Sequence, residues 1–69
     1  MSANNEVQIK KHMYEWNVMD VDVDTGAANL YIGRTDDLDK AIDIANKYME
    51  ECAEEGYPVE YGLNIIKSN

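Results

Sequence analysis

The chain lacks most of the features on which small proteins rely for stability. It has a single cysteine, Cys52, so an intrachain disulfide is excluded, and no His/Cys cluster is available for structural zinc. No apolar run approaches the roughly 20 residues needed to cross a bilayer, and residues 1–5 lack the basic and apolar regions of a signal peptide. These absences predict a soluble, cytoplasmic protein without a metal or other cofactor.

Sequence motifs of catalysis are missing as well. The chain contains no Gly-rich phosphate loop, nucleophile elbow, metal-spaced His pair or redox Cys pair, and its one histidine, His12, has no Cys or Ser partner nearby in sequence. We therefore expect no enzyme. With 69 residues the chain predicts one domain, 1–69, with 1–5 disordered. A core of this size supplies about 3–5 kcal/mol, which leaves self-association as the remaining source of stability.

Basic residues are scarce. Six Lys and Arg stand against fourteen Asp and Glu, which gives a formal net charge of −8. Because nucleic-acid phosphates are bound through Lys and Arg, this balance argues against direct contact with nucleic acid. The field of the protein favours encounter with a basic surface, such as that of a nucleic-acid-binding protein. General acidity that only raises solubility is the alternative.

The first half of the chain has the composition of β-structure. Val7 and Ile9 alternate with polar residues, and 13–24 is rich in Tyr, Trp and Val, so we predict one long strand from Glu6 to Asp24. The apolar alternation changes phase at Val18 and Met19. This indicates a β-bulge or bend there, or a sheet covered on both faces, for example by a second subunit.

The second half predicts a short strand, a helix and a final strand. Residues 25–29 form a turn and 30–34 a strand, after which Thr35, Asp36 and Asp37 supply helix-capping oxygens. Apolar residues at steps of three and four then predict a helix that stops at Gly56. A strand over 59–67 follows.

These elements predict an α+β domain in the order β-β-α-β. The sheet would be three-stranded and antiparallel, in the order 2-1-3, with the helix packed on one face.

Two acidic groups stand out. Asp20, Asp22 and Asp24 alternate along the predicted first strand, which would place their carboxylates in one row with steps of about 6.6 Å. The alternative is the solvent side of an amphipathic strand. A calcium loop is disfavoured because Thr25 and Tyr31 stand where an EF-hand needs Gly and Glu.

The second group lies at the end of the predicted helix, where the macrodipole favours Lys or Arg. Four glutamates stand there, and Asp36 with Lys40 and Asp43 with Lys47 are spaced to form ion pairs that would consume two of the bases. Tyr31 is predicted to be exposed and Trp16 to lie in the core. The predicted partner-binding residues are Asp20, Asp22, Asp24, Tyr31, Glu50, Glu51, Glu54 and Glu55.

We therefore expect a small acidic interaction protein, an inhibitor or regulator that mimics nucleic acid and occupies a basic surface of another protein. In size and charge alone it resembles small phage-encoded inhibitors such as anti-CRISPR proteins. The alternative is a homodimeric structural or regulatory module of the antitoxin-like type. A third hypothesis comes from the segment Tyr31-Ile32-Gly33-Arg34-Thr35, which resembles the sheet-to-helix junction of AP2-like DNA-binding domains and implies DNA contacts by Lys10, Lys11 and Arg34.

Overall fold

A computed structural model describes residues 4–67 and shows an α+β fold of four strands and one helix. The elements in chain order are β1 (Asn5–His12), β2 (Glu15–Asp22), β3 (Ala28–Thr35), α1 (Leu38–Glu54) and β4 (Leu63–Ile66). The strands form one sheet in the order β3-β2-β1-β4. Strand β2 is antiparallel to both its neighbours, whereas β1 and β4 are parallel. The predicted three-stranded antiparallel sheet of order 2-1-3 is therefore wrong.

The error lies at a two-residue turn inside the predicted first strand. His12 pairs with Glu15, so the chain reverses at Met13 and Tyr14, and Met13 takes a φ of 58°. Gly, Asn or Asp usually occupies such a position, and their absence left the turn without a signal in the sequence. Because of this extra reversal, β1 runs opposite to β2, and β4 therefore runs parallel to β1.

The bulge or bend predicted within the first strand at Val18 and Met19 is wrong, although a register shift does occur opposite these residues. The pairing of β2 with β3 shifts register between these two residues, and shifts again between Asp20 and Val21. Because the pairing of β2 with β1 is continuous, the extra residues belong to β3. Strand β2 therefore keeps its alternation: Val18 joins the core beneath the helix, and Met19 and Val21 face the opposite side of the sheet.

Helix α1 begins and ends at the signals that the sequence contains. Asp37 is the N-cap, and its carboxylate accepts a hydrogen bond from the backbone N–H of Asp39 at 2.9 Å. At the other end Gly56 takes a φ of 89°, and its N–H and that of Tyr57 donate to carbonyls of the last turn, at Ala53 and Cys52. This left-handed closure is the predicted stop. The helix is not long and apolar enough to cross a membrane, and no other helix occurs in residues 4–67.

The core lies between the helix and one face of the sheet. Its fully buried residues are Val7, Ile9, Val18, Ala41 and Ala45. The two alanines allow α1 to approach the strands closely. Gly33 lies beneath Ile44, where a Cβ added to the glycine would be 3.7 Å from Cγ2 of Ile44, an ordinary van der Waals distance. Trp16 is half-buried and packs against this core, as predicted.

Three other predictions concern segment ends. Of the residues expected to be disordered, 1–3 lie outside the described part of the chain, but Asn5 opens β1 and the carbonyl of Asn4 accepts a hydrogen bond from Val23. The last strand is shorter than predicted, because Gly62 at a φ of 72° separates it from the preceding loop. Strand β3 extends one residue beyond Arg34 and two before Leu30.

Candidate interaction surface

Asp20 does not belong to an exposed row of carboxylates. Its side chain is only 6% exposed, because it points toward the helix from the same face of β2 as Val18. Both carboxylate oxygens lie 3.0 Å from the Asn5 side-chain N–H donor, and Oδ2 accepts a second hydrogen bond from the Tyr48 hydroxyl at 2.5 Å. The buried carboxylate thus holds β1, β2 and α1 together.

This network extends to the loop before β4. The Oδ1 of Asn5 accepts a hydrogen bond from the backbone N–H of Glu60, and its backbone carbonyl accepts one from Tyr61. Burial of the Tyr48 phenol, its hydrogen bond to Asp20 and the neighbouring Cys52 thiol raise the pKa of Tyr48 above its ordinary value. Tyr48 therefore acts as a neutral donor that offsets the desolvation of the Asp20 carboxylate.

Asp22 is the last residue of β2, and Asp24 lies in the turn that follows. The Oδ1 of Asp22 accepts hydrogen bonds from the backbone N–H groups of Asp24 at 2.8 Å and Thr25 at 3.2 Å, so this carboxylate shapes the turn. Asp24 is exposed and accepts a hydrogen bond from the Asn4 side chain. The three aspartates therefore have three different environments, and the predicted single ladder does not exist.

The glutamates at the helix end are exposed, as predicted. Glu50, Glu51, Glu54 and Glu55 all lie at the surface, and the last turn of α1 contains no basic residue. The ion pairs predicted between Asp36 and Lys40 and between Asp43 and Lys47 do not form. Within residues 4–67 the ion pair that does form joins Arg34 to Glu15, with 3.6 Å between Nη1 and Oε2.

The fold brings the two acidic groups to the same end of the molecule. Ile44 lies above Gly33, the partner of Val18, and one helical turn later Tyr48 reaches Asp20. The helix therefore runs in the direction of β2, and both end beside the start of β1. Glu60 reaches this end through the hydrogen bond to Asn5. We call this set the acidic end: Asp22, Asp24, Glu50, Glu51, Glu54, Glu55 and Glu60.

Basic residues gather at the opposite end of the sheet. Lys10 and Lys11 lie near the end of β1, Arg34 lies near the end of β3, and Lys67 follows β4, which is parallel to β1. Lys40 lies in the first turn of the helix. Among the six Lys and Arg of the chain, Lys47 alone lies in the second half of α1. Four acids share this end, so it is close to neutral, whereas the acidic end has seven carboxylates; these four are Glu15, Asp36, Asp37 and Asp39. The order of the charges in the sequence does not reveal this difference between the two ends.

Tyr31 lies apart from the acidic end. It is exposed, as predicted, at 53%, and it pairs with Met19 on the face of the sheet away from the helix. Its hydroxyl donates a hydrogen bond of 3.0 Å to Oδ1 of Asn17. The structure thus brings together six of the eight predicted partner-binding residues and separates Asp20 and Tyr31 from them.

Sequence reasoning missed an open groove between β3 and the helix. It has a volume of about 250 Å³ and is lined by Ile32, Ile44, Lys47, Tyr48 and Glu51. Ile32 is the extra residue that the first register shift adds to β3, so only the observed strand pairing could have revealed this wall. Glu51 also belongs to the acidic end, which adjoins the groove.

Within the described residues no group of three or more His, Cys, Asp or Glu side chains is arranged to hold a metal ion. The chain matches no family model, no curated protein and no solved structure.

Proposed function

We propose that this protein is an inhibitor or regulator that binds a basic surface of a nucleic-acid-binding protein through its acidic end. The observation that carries the proposal is the convergence of seven carboxylates at one end, while five of the six bases lie at the other end among acids that nearly neutralise them. A uniformly acidic surface would serve solubility equally well, so this uneven distribution of charge is the feature that favours a directed partner.

The helix adds to this field. The helix dipole places the equivalent of about half a negative charge at the C-terminal end of α1, where Glu50, Glu51, Glu54 and Glu55 already stand. Each such glutamate costs the folded chain about 0.3–1 kcal/mol. Within residues 4–67 these glutamates form no ion pair that would offset this cost. An uncompensated cost of this kind favours a role for the glutamates in binding a partner.

The contact residues differ from those expected from the sequence. Asp20 is not a proposed contact residue, because its carboxylate is buried and hydrogen-bonded within the fold. One oxygen of Asp22 accepts hydrogen bonds from the turn. We therefore propose that Asp24 and the four helix-end glutamates contact the partner directly. These glutamates include two i,i+4 pairs, 50 with 54 and 51 with 55, whose Cβ atoms lie about 5–6 Å apart. The proposed mimicry of phosphates therefore rests on the helix and no longer on a strand ladder.

The experiment uses a basic, histone-like DNA-binding protein as the probe and duplex DNA as the competitor. We expect the chain to bind the probe, to displace the DNA and to lose affinity steeply as salt rises, because exposed charges are screened. The double variant Glu51→Gln/Glu54→Gln should weaken binding about tenfold at low salt, which corresponds to about 1.4 kcal/mol.

A matched control removes two charges elsewhere. Asp36→Asn/Asp43→Asn changes the net charge by the same amount on exposed positions outside the acidic end, and should alter binding less than about twofold. Equal losses in the two double variants would mean that only net charge matters, and would remove the acidic end as a site. A probe that does not bind even at low salt would refute the proposed partner class.

A further inference from the structure

The two outer strands of the sheet differ in how they are protected from pairing with another chain. Strand β3 has two register shifts, and such bulges twist an edge away from regular pairing. Strand β4 pairs with β1 in an unbroken register from Leu63 to Ile66 and contains neither Lys nor Pro. Within residues 4–67 no strand lies beyond it. Its outer edge is therefore a regular template for a further strand.

The direction of the backbone groups follows from one hydrogen bond. The N–H of Val7 donates to the carbonyl of Gly62 at 2.8 Å, so the even-numbered residues at the start of β4 face β1. In a parallel pair the groups alternate, which directs the N–H and C=O groups of Leu63 and Ile65 away from the sheet. These four groups form a short row of donors and acceptors.

The side chains beside this edge carry little charge. Helix α1 packs over β3, β2 and β1, and leaves β4 at the margin of its cover. Ile65 is 37% exposed, and Tyr57 and Tyr61 nearby are more exposed still. The segment 57–67 contains one acid, Glu60, and one base, Lys67, in a chain whose net charge is −8. A neutral, apolar edge fits a second neutral, apolar edge.

We infer that two copies of this chain form a symmetric dimer by antiparallel pairing of their β4 strands. Leu63 of each copy pairs with Ile65 of the other, which satisfies all the outward backbone groups, and Asn64 lies on the two-fold axis. In this register Tyr61 stands opposite the other copy's Lys67, with Glu60 one residue away. The termini of the interface are thus complementary in charge. The result is one continuous eight-stranded sheet.

The dimer is independent of the proposed function, and salt separates the two. The contact itself is nearly neutral, but each copy has a net charge of −8, so repulsion between whole copies opposes association. Raising the ionic strength from about 0.1 M to about 1 M shortens the Debye length from about 10 Å to about 3 Å and should tighten the dimer several-fold. Binding to a basic partner should weaken over the same range.

The first test is sedimentation velocity of the full chain from micromolar to millimolar concentration. We expect a monomer–dimer equilibrium in high salt. Ile65→Pro removes an N–H that faces away from β1, so it should abolish the dimer while the circular dichroism spectrum of the fold persists. Ile65→Lys is the second variant, because a lysine at this edge opposes pairing without changing the backbone. A chain that stays monomeric at millimolar concentration, or variants that still form dimers, would overturn the inference.

The second test is of register, in a Cys52→Ser background. In the proposed pairing the two Asn64 Cα atoms are a non-hydrogen-bonded pair about 4.5 Å apart, within the range for a disulfide. Asn64→Cys should therefore cross-link on mild oxidation. The matched control Lys67→Cys places its two sulfurs about 20 Å apart, since six strand residues separate them. Equal cross-linking of both variants, or of neither, would refute the β4 pairing.

Discussion

The buried carboxylate of Asp20 should be a main determinant of stability, and this can be tested by its removal. In Asp20→Ala the Asn5 amide and the Tyr48 hydroxyl both lose their acceptor. Leaving a buried donor unsatisfied costs about 1–3 kcal/mol, so the two together should cost about 2–6 kcal/mol. A domain of this size has only about 3–5 kcal/mol of stability. We therefore expect Asp20→Ala to be largely unfolded at neutral pH.

The assay is urea denaturation followed by Trp16 fluorescence and circular dichroism. Asp20→Asn keeps one acceptor oxygen and should cost less than Asp20→Ala, leaving a measurable folding transition. Asp24→Ala is the control, because this exposed aspartate from the same sequence repeat should change stability by no more than about 0.5 kcal/mol. An Asp20→Ala protein less than about 1 kcal/mol weaker than the unmodified chain would refute the anchoring role. It would also restore Asp20 as a candidate contact residue.

Two further predictions concern Tyr48 and the tip of the first hairpin. The raised pKa of Tyr48 means that, above about pH 10, the unfolded chain releases a proton that the folded chain keeps, so stability should fall as pH rises through this range. Tyr48→Phe should flatten the fall in urea midpoint between neutral and strongly alkaline pH, whereas Tyr14→Phe, at an exposed position, should not; identical pH profiles would contradict the assignment. Met13→Gly should stabilise the chain by about 0.5–1 kcal/mol, because a left-handed conformation costs a non-glycine residue about 1–2 kcal/mol and glycine loses part of this gain in the unfolded state. A lower thermal midpoint for Met13→Gly would show that the turn is not strained.

Helix α1 could be predicted from the sequence because its signals are local. The Asp37 cap, the apolar stripe and the glycine at position 56 all act within one or two turns of the chain. The bulges could not be predicted in the same way. The change of apolar phase in β2 is real in the sequence, but β2 keeps its alternation, and the extra residues belong to β3, where only the strand pairing shows them.

The hairpin at Met13 and Tyr14 could not be predicted, because Met13 occupies a left-handed position at which Gly, Asn or Asp is usual. Alternation along a strand assigns residues to two faces, but it does not say which face the helix covers. The sequence therefore grouped Asp20 with Asp22 and Asp24, whereas the fold buries the first beneath the helix and leaves the third at the surface.

By itself the sequence determined the net charge, the helix and its ends, the α+β class and the presence of two acidic groups. Only the tertiary structure decided that β4 is an unprotected parallel edge strand, and that the turn after β2 lies at the same end of the molecule as the C-terminus of the helix. Both follow from the direction in which each element runs. The direction of each strand depends on the chain reversal at Met13 and on the crossover by α1. Local residue preferences do not favour one strand direction over the other, so long-range packing decides between them.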